Sequence, residues 1–165
     1  MKRAFSLIEL LVAVGIVLVL SAGAFVYINQ GLQRQTLLKA AGQVVSGLKL
    51  ANSLAKTRQM PHGSSGSLRV VESYFDSNKL YTKAISSVGM TSTFSQEVIG
   101  IPVTNSNRWF FYAGSGFLGK NATGTMYGAG ETATIILSLN ENQNMSVPII
   151  IDAMGQVRQG EVIQN

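Results

Sequence analysis

The residues able to carry chemistry are few. The 165-residue chain has no cysteine and a single histidine, His62, in a loop-like Pro-His-Gly-Ser-Ser-Gly stretch. A thiol nucleophile, a disulfide and a multi-histidine metal centre built from this chain alone are excluded. No G-x-S-x-G, Walker, H-E-x-x-H or EF-hand pattern occurs. His62 has no chemical neighbour in its stretch and reads as a loop residue. Asp76 and Asn78 offer alternating oxygens, but the further ligands of a calcium loop do not follow them. An Asx-type turn is the simpler reading there. No enzymatic activity, no metal and no cofactor is expected.

The acid that calls for a chemical explanation is Glu9. It stands between Leu7-Ile8 and an uncharged run of 19 residues, 10–28, in which Ser21 is the only serine or threonine. A carboxylate at the centre of a membrane helix costs roughly 2.5–3.5 kcal/mol on insertion scales, and less near its end. Fourteen Leu, Ile, Val and Phe residues lie from Leu7 to Ile28. At about −0.3 to −0.6 kcal/mol each they contribute about −4 to −8 kcal/mol. The span tolerates Glu9, but the carboxylate calls for a neutralising partner.

The charges elsewhere are unevenly placed. The net charge is +5, while hydrophobic residues make up 46% and charged residues only 13% of the chain, with a mean hydropathy of +0.24. Lys2 and Arg3 precede Glu9; Arg34, Lys39, Lys49 and Lys56 follow in 30–57. From residue 58 to 165, seven cations balance seven anions. The basic character thus belongs to the N-terminal third and does not mark a nucleic-acid-binding head.

The elements that position these residues follow from periodicity. Residues 10–28 are long enough for one helix across a ~30 Å hydrocarbon core. Leu37, Ala41, Val44, Leu48, Ala51 and Ala55 then step by 4, 3, 4, 3 and 4, which is one stripe of an amphipathic helix. No proline occurs before Pro61, so one helix can run from about residue 5 to 57, near 80 Å at 1.5 Å per residue. The likeliest bend is at Ser21-Ala22-Gly23-Ala24. Beyond Pro61, strand-like segments alternate with Gly/Ser/Asn turns: 67–72, 79–85, 95–102, 108–113, 132–140, 147–152 and 156–163. Trp109-Phe110-Phe111-Tyr112 must alternate between sheet faces; two pack inward, and the outward pair is a candidate subunit contact. Arg108 beside them reads as a solvated strand end. The fold class is α+β: a long N-terminal helix packed on an antiparallel β head, divided as 1–4 leader, 5–28 apolar helix, 29–57 amphipathic continuation and 58–165 head. The head, 58–165, is expected to fold alone.

Two processing routes compete for the N-terminus. A general signal peptide would use Lys2 and Arg3, an apolar stretch, and Ala22-Gly23-Ala24 as the cut site before Phe25. The product would be a soluble exported binding protein or enzyme. Against this, Glu9 precedes the apolar stretch and apolar residues continue to Ile28. The segment Lys2-Arg3-Ala4-Phe5-Ser6-Leu7-Ile8-Glu9-Leu10-Leu11 instead resembles the prepilin N-terminus of type IV pilins and type II secretion pseudopilins. It departs from that pattern at Ala4, where the family usually has Gly, and in lacking a proline within the span. More loosely, Leu54-Ala55-Lys56-Thr57-Arg58, the Trp109–Gly114 run ahead of Gly116, and the Ile149–Arg158 segment resemble FimT/GspH-like minor pilins and pseudopilins.

The resemblance implies a non-enzymatic filament subunit. Prepilin peptidase would cut between Ala4 and Phe5, and the new Phe5 amine would be methylated. The mature chain would sit in the inner membrane by one helix, with its head outside the cytoplasm. It would then assemble with other pilin or pseudopilin subunits on an inner-membrane platform, into a pilus or a periplasmic pseudopilus. Glu9 would gain its partner in the amine of a neighbouring subunit's Phe5. A DNA-uptake or adhesive tip subunit is the alternative on the same scaffold. DNA-binding relatives carry Gly-Arg-x-Arg at a C-terminal turn, where this chain has Gly155-Gln156-Val157-Arg158. Only Arg158 remains as a candidate DNA contact, and nucleic acid is not an expected partner.

Overall fold

The computed structural model describes residues 7–101, 103, 107–139 and 145–164, with Ala22 and residues 24–27 entering as helical backbone only. Helix α1 covers Leu7–Thr57 without interruption. Gly15, Gly23, Gly31, Gly42 and Gly47 all lie within it, so none of them ends the helix. The chain divides into two compact units, residues 1–36 and 37–165.

In the first unit the described side chains of α1 are exposed on every side, from Leu7 through Leu20. A helix that is apolar all round has no solvent-facing stripe. Among the described residues, no helix is long and apolar enough to cross a membrane. The side chains at 22 and 24–27, inside the uncharged run, lie outside the described residues.

The second unit begins inside the same helix. Leu37, Ala41, Val44, Leu48, Ala51 and Ala55, the stripe expected from periodicity, are all completely buried. They join one core with Val71, Phe75, Leu80, Phe111, Ile135, Ile149 and Ile151 from the sheets. This is an α+β architecture, the last 21 residues of α1 packed on antiparallel sheets. The compact unit starts at Leu37 rather than at residue 58. A β head without its helix would expose the sheet residues that this stripe covers.

The first sheet has the order β3 (Thr91–Val98), β2 (Lys79–Ser86), β1 (Leu68–Asp76), β4 (Arg108–Tyr112), β5 (Leu118–Gly119), and the second runs β6 (Thr132–Ser138), β7 (Met145–Asp152), β8 (Val157–Gln159) with β9 (Ile163–Gln164) also on β7. Strands β1 (Leu68–Asp76) and β2 (Lys79–Ser86) form a hairpin closed at Asp76 and Lys79, with Ser77 at φ +57° in the turn. Along β2, Leu80, Thr82, Ala84 and Ser86 are buried while Lys79, Tyr81, Lys83 and Ile85 alternate with them. Strand β3 (Thr91–Val98) starts four residues earlier than the expected 95–102 and ends earlier. Its Thr/Ser-rich start resembles a loop in composition, but pairing with β2 from Thr91 onward makes it strand. Likewise β1 reaches Asp76 because the hairpin register carries it there.

Strand β4 is Arg108–Tyr112 and β5 is the short Leu118–Gly119; β6 is Thr132–Ser138 and β7 is Met145–Asp152. The single strand expected over 156–163 is two: β8 (Val157–Gln159) and β9 (Ile163–Gln164). The cause is Pro148. The amide of Gly160 donates to Pro148 O at 2.8 Å, so this residue of β7 faces β8 and β9. Proline has no N–H to return, and the neighbouring strand breaks there. Gly160 also lies so close to Pro148 that a Cβ would come within 2.7 Å of its ring.

Candidate functional site

The first site is the N-terminal helix. Glu9 lies in the first described turn of α1, exposed, and makes no ion pair among the described residues. Around it stand Leu7, Ile8, Leu10, Leu11 and Val12, each more than half exposed. Backbone N–H groups at a helix start favour a carboxylate there. Glu9 is thus a lone acid on an otherwise uncharged, exposed apolar segment. Ala4 and Phe5, the expected cleavage and methylation residues, lie outside the described residues.

The second site is a junction at the C-terminal end of α1. The helix closes in a Schellman arrangement: Gln59 N donates to Leu54 O and Arg58 N to Ala55 O, both at 3.2 Å. Arg58 takes the left-handed conformation at φ +54°. Two turns then pack against this end. Gly114 N donates to Ala55 O at 2.8 Å, and the buried Asn52 Nδ2 donates to Gly116 O at 2.6 Å. Gly155 closes the contact from the β7–β8 turn. Its φ is +75°, and a Cβ would fall 2.2 Å from both Asn52 Nδ2 and Gly116 O. Only glycine fits.

The three segments singled out by their likeness to FimT/GspH-like proteins therefore meet at one point: the helix end, the Gly114-Ser115-Gly116 turn and the Ala153-Met154-Gly155 turn. Leu118 N donates to Ala153 O at 3.0 Å, linking the two turns directly. Asn52 was missed in the sequence, yet a signal existed. It sits four residues after Leu48, a polar residue placed on the buried side of the helix.

Charged residues of the sheets are more engaged than expected. Arg108 is the solvated strand end expected, its side chain 59% exposed, but it is also paired: its Nη1 lies 2.6 Å from Oε1 of the buried Glu72, and its guanidinium stacks 5.0 Å from the Tyr74 ring centre. Tyr74 in turn stacks on Tyr81 at 5.3 Å, with Lys83 Nζ 4.9 Å from the Tyr74 ring centre. The outward aromatic pair is also used within the subunit. Phe110 is only 9% exposed, and the Tyr112 hydroxyl donates to Asn121 O at 2.8 Å. Both rings therefore have partners within the chain. Trp109 and Phe111 face the core, as alternation requires.

A second cation–carboxylate–tyrosine set lies between β5 and β6. Lys120 Nζ is 2.9 Å from Glu131 Oε2 and 5.2 Å from the Tyr127 ring centre. The Glu131 carboxyl is held below its ordinary range, chiefly by the Lys120 hydrogen bond and next by the Gly128 amide at 2.7 Å.

His62 is exposed in its loop. Asp76 precedes a hairpin turn and Asn78 lies within it, and no cluster that could hold a metal occurs among the described residues. Arg158 is exposed on β8 opposite Ile150 and makes no ion pair among the described residues. Two residues earlier, the backbone N–H of Gln156 donates to Asp152 Oδ1 at 2.9 Å.

The class defined so far is an α+β head built on the C-terminal part of a helix whose N-terminal part is exposed and apolar. Residues 1–25 match the family described as the prokaryotic N-terminal methylation motif. The match supports a type IV pilin-like prepilin N-terminus. No curated protein and no solved structure matches the chain.

Proposed function

We propose that this chain is a non-enzymatic subunit of a type IV pilus or type II secretion pseudopilus, made as a prepilin. Prepilin peptidase cuts between Ala4 and Phe5 and the Phe5 amine is methylated. The apolar helix anchors the subunit in the inner membrane with the head outside the cytoplasm, and then packs in the filament core. Within the FimT/GspH-like group, the subunit is a minor pilin or pseudopilin. The observation that carries the reading is the exposure of Leu7 through Leu20 around a single acid, in a segment that matches the methylation motif. Burial in a bundle of like helices would satisfy both features. Apolar surface would leave water or lipid for packed neighbours, and Glu9 would pair with the amine of a neighbouring subunit's Phe5. A buried pair broken by removing one member costs roughly 3–5 kcal/mol, because a charge is left unpaired.

The test has two arms. Intact mass of membrane-extracted protein should show a chain beginning at Phe5 with one added methyl group. Glu9→Ala should leave cleavage and head folding intact and reduce incorporation into filaments. A soluble species beginning at Phe25 would replace this reading with signal-peptide export, and normal incorporation of the mutant would remove the pairing role.

A further inference from the structure

Among the described residues, strand β6 is an edge with no strand on its outer side. It ends its sheet, and its sequence Thr-Ala-Thr-Ile-Ile-Leu-Ser carries no charge, no proline and no bulge. Edge strands with none of these features are templates for further pairing.

The hydrogen-bond phase shows which backbone groups point outward. In β7, Asp152 N donates to Gln156 O at 3.1 Å and Gly160 N to Pro148 O at 2.8 Å. The even-numbered residues of β7 therefore face β8 and β9, and the odd-numbered ones face β6. In an antiparallel ladder the residues opposite those odd positions exchange both bonds with them. These are Ala133, Ile135 and Leu137. The N–H and C=O of Thr132, Thr134 and Ile136 consequently point away from β7, into the edge.

A second edge faces this one. In β4, Tyr112 N donates to Phe117 O at 3.0 Å, so its even-numbered residues face away from β1. Strand β5 pairs with β4 only at Phe110 and Phe111. The backbone of Arg108 thus extends past the end of β5, with no strand opposite it among the described residues. Between the two edges lies a polar groove of about 590 Å³, lined by Arg108, Phe110, Lys120, Tyr127, Thr132 and Thr134 among others. That volume is in the range of ligand sites. Its two cations are each paired with a carboxylate, Arg108 with Glu72 and Lys120 with Glu131. The walls are therefore close to neutral and do not select a polyanion. Among the described residues, no strand pairs with the outward backbone of Arg108 on one side or with that of Thr132 and Thr134 on the other.

We propose that the groove between Arg108 of β4 and Thr132 and Thr134 of β6 receives an extended, uncharged peptide segment of another polypeptide, which adds as a strand and joins the two sheets. Recognition is through main-chain hydrogen bonds, with β-branched side chains of the segment matching those of β6. A segment inserted between two walls uses both edges, whereas edge-to-edge pairing with a second copy of the head uses only one. The inference does not depend on filament assembly.

The experiment uses the full chain in dodecyl maltoside and a fluorescent form of the blocked hexapeptide Ac-Thr-Val-Thr-Val-Thr-Val-NH2. Anisotropy should report saturable binding. Thr134→Pro removes an edge donor without removing a β6–β7 bond, and should weaken binding by about tenfold, the value of one good hydrogen bond. The same peptide with alternate amides N-methylated should bind unmodified protein at least as poorly, which keeps the test valid if Thr134→Pro misfolds. Absence of binding to about 1 mM, or equal binding of the N-methylated peptide, overturns the proposal. So does sedimentation showing a β6-mediated dimer that excludes the peptide.

Discussion

One helix contains two opposite solutions to the same composition. Leu18 and Leu48 sit in the same continuous helix, and both are leucines in apolar surroundings. Leu18 is 65% exposed and Leu48 is 0% exposed. The difference is one of pattern. Around Leu48 apolar residues recur at spacings of three and four with Lys49, Ser46 and Lys39 between them, so one stripe buries against sheets of the same chain. Around Leu18 apolar residues occupy every direction, and no stripe of this chain could cover them. The apolar surface of residues 37–57 is spent on folding, and that of residues 7–20 stays exposed.

The largest effect expected from this contrast is on fragments. Residues 37–165 contain the whole described core, including seven fully or almost fully buried helix residues from Leu37 to Ala55. That fragment should be soluble, with a mixed α/β circular dichroism spectrum and a cooperative melt, and its Tm should not respond to chelator. Residues 58–165 lack the helix stripe and should show no cooperative melt. A shared Tm for the two fragments would mean that the helix stripe is dispensable.

Point substitutions sharpen it. Leu48→Ala should destabilise the 37–165 fragment by about 2–5 kcal/mol, the usual cost of a large-to-small change in a core. Leu18→Ala in detergent-solubilised full chain should leave head stability within about 0.5 kcal/mol, as exposed substitutions do. Its effect should appear only in filament incorporation. Equal loss of head stability from both would mean that the first helical segment also supports the head.

How much of this was legible in sequence depends on the range over which each signal acts. The buried stripe was fully legible, because helical periodicity is local and six of its positions repeat without a break. The hairpin at Asp76 and Lys79 was legible from turn chemistry. Strand β3 was legible only from Ser95, because Thr91-Ser92-Thr93 is loop-like until it meets β2. The division of β8 from β9 depends on Pro148, a residue in a different strand, whose missing N–H acts across the ladder. Arg108 shows the same limitation. It lies 36 positions from Glu72, and nothing local to either residue announces the pair. At the candidate site, Glu9 was conspicuous because composition isolates it. The junction of Asn52, Gly116 and Gly155 needed the fold, since its glycines matter only through the atoms that crowd them.

A buried polar group inside the head offers a smaller effect of opposite sign. Ser73 is fully buried on the core face of β1, opposite Thr82 and Trp109, and its Oγ has no hydrogen-bond partner. An unsatisfied buried hydroxyl costs about 1–3 kcal/mol. Ser73→Ala removes it without removing a methylene, so the 37–165 fragment should gain about 1 kcal/mol in urea unfolding, with an unchanged m-value. Stability lost on this substitution would indicate a bound water bridging Ser73 to the helix stripe. The stripe would then be held by polar contacts as well as packing.

The smallest expected effect lies at the surface of the head, where the loop between β5 and β6 is fastened by Glu131. Its carboxylate accepts from Lys120 Nζ and from the Gly128 amide at 2.7 Å. Both bonds favour the charged form, and they hold its pKa below the ordinary range. The sign follows from that direction. A carboxyl depressed by folding contributes stability that is present above its unfolded value, about 4.3, and is lost as pH falls through the lower folded value. The pair is about half exposed, so salt and water screen it and its share of global stability is small. A local probe is therefore the informative one. The Gly128 amide proton of the 37–165 fragment should titrate with a midpoint below that of an ordinary glutamate. Lys120→Met removes the leading cause and should move that midpoint upward, while the backbone bond keeps part of the depression. The Tm near neutral pH should hardly change. An unmoved midpoint would show that the Gly128 amide alone fastens this loop, and that Lys120 serves the Tyr127 ring and the groove beside it.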